Sequence, residues 1–179
     1  MCGRVSALAA ALLLLLPLLA GEAQPAPPAK KVDWSDLKTL KAYWDWVAVK
    51  MSRPPSLDKT SFDASQDEKG LAAVAMLESA APNLDDMKKG TLIAANIIGQ
   101  MLAQGAPIYK VGIVHKRGEE IGIVMLPVEN LKKFGAETIK GDKADKAAVK
   151  RMTDLILTHA DWSEVEKLVK KSAAAPAEK

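Results

Sequence analysis

Ile108-Tyr109-Lys110-Val111-Gly112-Ile113-Val114-His115-Lys116-Arg117-Gly118-Glu119-Glu120-Ile121-Gly122-Ile123-Val124-Met125-Leu126 is the stretch around which the chain has to be arranged. Two apolar runs with a partial period of two flank a short polar tip, the pattern of a β-hairpin over about 108–126. A three-residue loop, Lys116-Arg117-Gly118 with Gly118 left-handed, predicts a register in which His115 faces Glu119, Ile113 faces Ile121, Val111 faces Ile123 and Tyr109 faces Met125. One face of the ribbon is then apolar except at its tip, and the other sets Gly112 directly against Gly122. A two-residue loop would instead place Tyr109, Val111 and Ile113 on the face of Glu120, Gly122 and Val124, so the three-residue register is the expectation. A lone hairpin is marginal in water, and its apolar face requires cover from helices elsewhere in the chain.

Helical patterns flank the hairpin on both sides. Upstream, Asn83 caps a segment from Leu84 to Gln104 whose first turn holds Asp85 and Asp86. From Leu92 to Ala103 only Asn96 and Gln100 are polar, so this helix has to be packed on most sides. Gly90 and Gly99 each cost it about 1 kcal/mol relative to Ala, which points to close approach by another element. Before it, Ser65-Gln66-Asp67-Glu68 has capping-box spacing and predicts a helix over 66–81, apolar at Leu71, Val74, Ala75 and Leu77. Earlier still, Asp33 is the expected N-cap of a helix whose stripe is Leu37, Leu40, Trp44, Val47 and Met51, ended by Arg53-Pro54-Pro55. Residues 56–64 have no sustained period and are expected as a loop. Downstream, Pro127 opens a short helix through Phe134 with Gly135 as its stop. A loop over 136–142 follows, then helices over 143–159 and from Asp161-Trp162-Ser163-Glu164 to about Ser172. Asp33-Trp34-Ser35 and Asp161-Trp162-Ser163 share one pattern, expected as a single capping solution used twice. The predicted fold is α+β: a mainly helical single domain over 33–172, with about six helices around one hairpin.

The first 23 residues are expected to lie outside that domain. Arg4 is followed by a nearly unbroken apolar run from Val5 to Ala20, and Gly21-Glu22-Ala23 supplies small residues at a cleavage site, the pattern of a secretory signal peptide. The run is shorter than the roughly 20 residues that a membrane-spanning helix needs. Residues 24–32 are a Pro-rich leader and 173–179 a polar tail, both expected to be disordered. Cys2 is the only cysteine, so cleavage would leave a cysteine-free mature chain without disulfides or thiol chemistry. The destination expected is the bacterial periplasm or a eukaryotic secretory route.

Charge and motifs exclude more than they assign. The formal net charge of +3 is too mild to imply nucleic acid, and the lysines of 143–151 and 167–171 are interleaved with Asp142, Asp145, Asp154, Glu164 and Glu166. None of the spacings that bring catalytic chemistry with them is present, and the acids Asp58, Asp63 and Asp67 lack the calcium-loop pattern. No catalytic residue, metal site or cofactor is expected. His115, at the hairpin tip, is expected as a surface cross-strand partner of Glu119, and His159 as a cation in the last turn of its helix.

Tyr43-Trp44-Asp45-Trp46 stands out in a chain with four Trp, two Tyr and two Phe. Consecutive helical positions cannot all face one core, so Tyr43 and Trp46 would form a shoulder beside Trp44. The expectation is an exported, non-enzymatic module that binds another macromolecule through this aromatic helix face. The alternative is a carrier of a small apolar ligand, with Gly90, Gly99, Gly112 and Gly122 making room between helix and hairpin; an enzyme with no recognisable motif is the third reading. The residues singled out for partner or ligand binding are Tyr43, Trp44, Trp46, Gly112 and Gly122.

Overall fold

The computed structural model describes residues 32–174; the expected signal peptide (1–23), most of the expected leader and the end of the tail lie outside the described residues. The element order is α1 (Leu37–Lys50), β1 (Lys59–Asp67), β2 (Gly70–Glu78), α2 (Leu84–Ala103), β3 (Ile108–Arg117), β4 (Glu120–Leu126), α3 (Val128–Thr138), a 3-10 turn (Gly141–Lys143), α4 (Lys146–His159) and α5 (Ser163–Ala174). The fold is α+β. Five α-helices among the described residues accompany a four-stranded mixed sheet of order β1-β2-β3-β4, in which β1/β2 and β3/β4 are antiparallel hairpins and β2 runs parallel to β3. The crossover that a parallel pair requires is α2.

The loop expected over 56–64 and the helix expected over 66–81 are both corrections: Lys59–Asp67 and Gly70–Glu78 pair as a second hairpin, because the strand partners, not the local sequence, decide this stretch. Asp67 pairs with Gly70 across a two-residue turn, the Asp67 carboxylate accepts from Lys69 N at 2.8 Å, and Gly70 has φ +127°. Ser65 and Glu68 therefore belong to a strand end and a turn. In β2 Leu71, Ala73, Ala75 and Leu77 are buried while Ala72, Val74, Met76 and Glu78 are half-buried. A central strand can be apolar on both sides, which conceals its period of two and leaves helix-favouring Ala, Leu and Met in a strand imposed by its two neighbours. Two smaller boundaries also move. The N-cap of α1 is Asp36, which accepts from Lys38 N and Thr39 N, while Asp33 heads the preceding turn through Ser35. The short helix expected through Phe134 runs on to Thr138, because Gly135 is packed against α2 rather than ending a helix.

One face of the sheet carries the core. Phe62, Leu71, Ala73, Ala75, Leu77, Val111, Ile113, His115, Val124 and Leu126 are all buried on it. Three helices lie on this face: Trp44 of α1 stacks on Phe62 at 5.4 Å, Thr91 of α2 reaches His115, and Val165 of α5 touches Gly122. Behind α2, α3 crosses at Gly99 and Gly135, and α4 packs on α3. The polar strip of α2 is absorbed into a ladder: Tyr43 Oη donates to Gln100 Oε1 (2.6 Å), Gln100 Nε2 donates to Asn96 Oδ1 (3.2 Å), and Thr138 Oγ1 donates to the same oxygen (2.5 Å). Three helices are thereby joined by bonds that leave these buried amides satisfied.

Candidate functional site

The register of the β3/β4 hairpin decides which residues a partner can reach, and it is that of a two-residue loop, not the three-residue loop expected from the sequence. Arg117 pairs with Glu120, His115 with Gly122, Ile113 with Val124 and Val111 with Leu126, so the loop is Gly118-Glu119. Gly118 has φ +56°, as the first central position of a type II′ hairpin turn demands. A change of one residue in loop length turns β4 over. Val124 and Leu126 go to the core with Gly122, while Ile121, Ile123 and Met125 go to the opposite face, where they are 57, 40 and 48% exposed.

That opposite face is open. It presents Val74 and Met76 from β2, Gly112 and Val114 from β3, and the three apolar side chains of β4, while β1 supplies Ser61, Asp63 and Ser65. Lys110, Lys116 and Glu78 stand at the ends of the two central strands. No helix of the described residues lies on it, and a Cβ built on Gly112 would meet only Met125 Sδ, at 3.5 Å. Gly112 and Gly122 are thus on different faces, contrary to expectation. A Cβ on Gly122 would come within 3.0–3.1 Å of the Glu164 and Val165 backbone, so that glycine admits α5. The outer edge of β4 is partly closed, because Ile123 N donates to Glu164 Oε2 at 3.0 Å.

The aromatic residues of α1 divide three ways. Trp44 is buried against Phe62. Tyr43 is half-buried, meets Trp34 edge-on at 5.2 Å, and has its phenol raised in pKa by burial, against a hydrogen bond from Gln104. Trp46 is 37% exposed and lies under Lys50 Nζ, which is 4.2 Å from the ring centroid. The five residues singled out from the sequence therefore do not form one site: two sit on the shoulder of α1, one in the core, one on the open face and one beneath α5.

His115 is a correction with consequences for chemistry. It is not a surface partner of Glu119: it is fully buried, with Nε2 2.9 Å from Thr91 Oγ1 and Nδ1 2.8 Å from Met87 Sδ. Burial pushes its pKa down to about 4, so the ring is neutral at pH 7. Enclosed on all sides and without a carboxylate partner, it acts as a core residue that joins β3 to α2. His159 is exposed in the last turn of α4, with Nδ1 3.0 Å from the Leu155 carbonyl. Among the described residues no three His, Cys, Asp or Glu side chains are grouped to hold a metal ion, and no helix is long and apolar enough to cross a membrane.

The space between α2 and the β3/β4 hairpin is filled by Thr91, Met87, His115 and the α5 contact at Gly122. A cleft of about 480 Å³ lies elsewhere, between the C-terminal half of α1, the Met51–Leu57 segment and α2, with no lining from β3 or β4. Of the residues singled out from the sequence, Trp44 lies in its wall and Gly112 on the open sheet face, but neither surface as a whole is legible in the apolar pattern of the sequence. The glycine-first loop Gly118-Glu119 was the signal that would have found the second. Comparison with family models, with curated proteins and with solved structures finds no match to this chain.

Proposed function

We propose that this chain is an exported, non-enzymatic module that binds another polypeptide through the open face of its sheet. The observation that carries the reading is an apolar surface in which exposed Ile121, Ile123 and Met125 of β4 are continued by half-buried Val74, Met76 and Val114, set on a sheet whose other face is packed against helices. Exposed apolar residues scattered singly need no explanation, whereas a contiguous patch rimmed by polar groups marks an interaction surface. The rim supplies both signs of charge, Lys110 and Lys116 on β3 and Asp63 and Glu78 on β1 and β2, which would set a partner's orientation more than its affinity. The rigid strands beneath also spare the ordering cost that a flexible surface would incur on binding. Export is supported by the apolar run from Val5 to Ala20 and the small residues that follow it.

The aromatic shoulder of α1 is the weaker surface, since Tyr43 is engaged with α2 and only Trp46 faces solvent to a useful extent. Affinity capture from the native compartment, followed by mass spectrometry, separates the two. The double variant Ile121→Lys/Ile123→Lys is expected to lose the wild-type partner while keeping its circular dichroism, and Trp46→Ala is expected to retain it. Equal recovery by the sheet variant would overturn the assignment, and selective loss with Trp46→Ala would transfer it to α1.

A further inference from the structure

The cleft between α1 and α2 is built from a rigid loop. Pro54 and Pro55 restrict the backbone, Leu57 N donates to Pro54 O (3.0 Å), Ser56 N to Asp86 Oδ2 (3.1 Å) and Asp58 N to Glu78 O (2.9 Å). Leu57 is seated in a notch on α2: a Cβ on Gly90 would stand 2.5 Å from Leu57 Cδ1 and 3.1 Å from Leu77 Cδ1. The glycine that weakens α2 therefore lets the loop close down on the helix and leaves a preformed hollow beside it. Its floor is apolar, with Trp44, Leu77, Ala94 and Ile97 all buried, and Val49 stands at its rim, 86% exposed.

Two charged residues line this hollow, Arg53 from the loop and Asp45 from α1. The Arg53 guanidinium is held in place by donating through Nη1 to the Asp58 carbonyl, and the described residues put no carboxylate within 4.0 Å of it. A positioned guanidinium beside an apolar hollow fits a ligand with an apolar body and a carboxylate head, because a fork of N–H donors pairs with the two carboxylate oxygens. Asp45 in the same wall repels negative charge, which a head with one carboxylate paired to Arg53 tolerates better than a dianion. The volume of about 480 Å³ is in the range of small-molecule sites, roughly 300–1,000 Å³, and accommodates an aliphatic chain of about ten carbons.

We propose that this cleft is a binding site for a small aliphatic monocarboxylate, with its head on Arg53 and its chain along Ile93, Ala94 and Ile97 toward Trp44. The site is separate from the open sheet face and does not depend on the function assigned to that face. Calorimetric titration of the protein with decanoate, decanol and decylammonium below their aggregation limits tests it, together with methyl NMR of the isoleucines. Decanoate is expected to bind about tenfold more tightly than decanol. Arg53→Gln should abolish that preference, and Ile93 and Ile97 should shift while Ile121 and Ile123 do not. Ala48→Phe, which fills the cleft from α1, should remove binding. If that variant fails to fold, the isoleucine shifts of the wild type locate the ligand without it. No saturable binding, tighter binding of decanol or decylammonium, a preference that survives Arg53→Gln, or shifts confined to Ile121 and Ile123 would each overturn the proposal.

Discussion

Gly99 and Gly135 meet backbone to backbone where α3 crosses α2. A Cβ built on Gly135 would lie 1.9 Å from the Gly99 carbonyl carbon, and one built on Gly99 would lie 2.4 Å from Leu131 O and 3.0 Å from Gly135 N. Neither helix can carry a side chain at this point without separating from the other. The ordinary preference of a helix for Ala over Gly, worth up to about 1 kcal/mol, is therefore reversed here.

Gly135→Ala and Gly99→Ala should each lower stability by roughly 2–3 kcal/mol, since the obstruction is backbone and overpacking of this kind costs about 1–3 kcal/mol or more. Urea unfolding measures it, with the midpoint falling at unchanged slope. A gain of stability in either variant, as expected for an open helix surface, would show that the crossing is looser than described.

The two glycines of the β3/β4 hairpin should behave oppositely. Gly112→Val places its side chain on the open face beside Met125 and raises β-propensity, so its stability should be unchanged or slightly higher. Gly122→Val presses on the backbone at Glu164 and Val165 and should cost about 1–3 kcal/mol. Thermal unfolding of the pair decides between this arrangement and one in which both faces are covered.

His115 predicts a specific pH dependence. Its folded pKa of about 4 lies below the ordinary value of 6.5, so between these limits the unfolded chain binds a proton that the folded chain does not. Stability is full above pH 6.5 and declines as the pH falls toward 4, by roughly 3 kcal/mol over the window. Asp86 acts in a different range: burial opposes its charge, but hydrogen bonds from Asn83 and Ser56 outweigh it and lower the pKa below 3.8. Its contribution is lost only at more acid pH. Stability curves of wild type and His115→Gln at pH 7, 5.5 and 4.5 test this, with a flatter profile expected for the variant despite its lower stability at pH 7. Parallel profiles would remove His115 as the cause.

Much of the helical layer was legible because helix ends are written in local contacts. Asn83 accepts from Asp86 N at 2.9 Å as its position before Leu84 implied, and the helix stops within a residue of Gln104 ahead of Gly105-Ala106-Pro107. The two Asp-Trp-Ser stretches form the same turn, with Asp33 and Asp161 each accepting from the serine two residues on, but the first does not cap its helix, whose N-cap is Asp36. The close approach read from Gly99 is present too. The candidate site was far less legible: Trp44 is buried as its place on the helical stripe implied and Trp46 on the shoulder is exposed, but the apolar side chains that face solvent, Ile121, Ile123 and Met125, are the ones the three-residue loop assigned to the covered face.

By itself the sequence determined where α2 begins and ends, that a hairpin spans 108–126, and that helices must cover it, because caps, prolines and apolar runs act over a few neighbouring residues. Only the tertiary structure decided that 70–78 is a strand, since its apolar residues allow either period until β1 and β3 pair with it. Only the tertiary structure decided the parity of the β3/β4 register, and with it the burial of His115 and the apolar open face. A single residue of loop length exchanges the two faces of a strand, and the choice depends on contacts far away in the chain: Thr91 and Met87 taking up His115, and α5 lying close over Gly122.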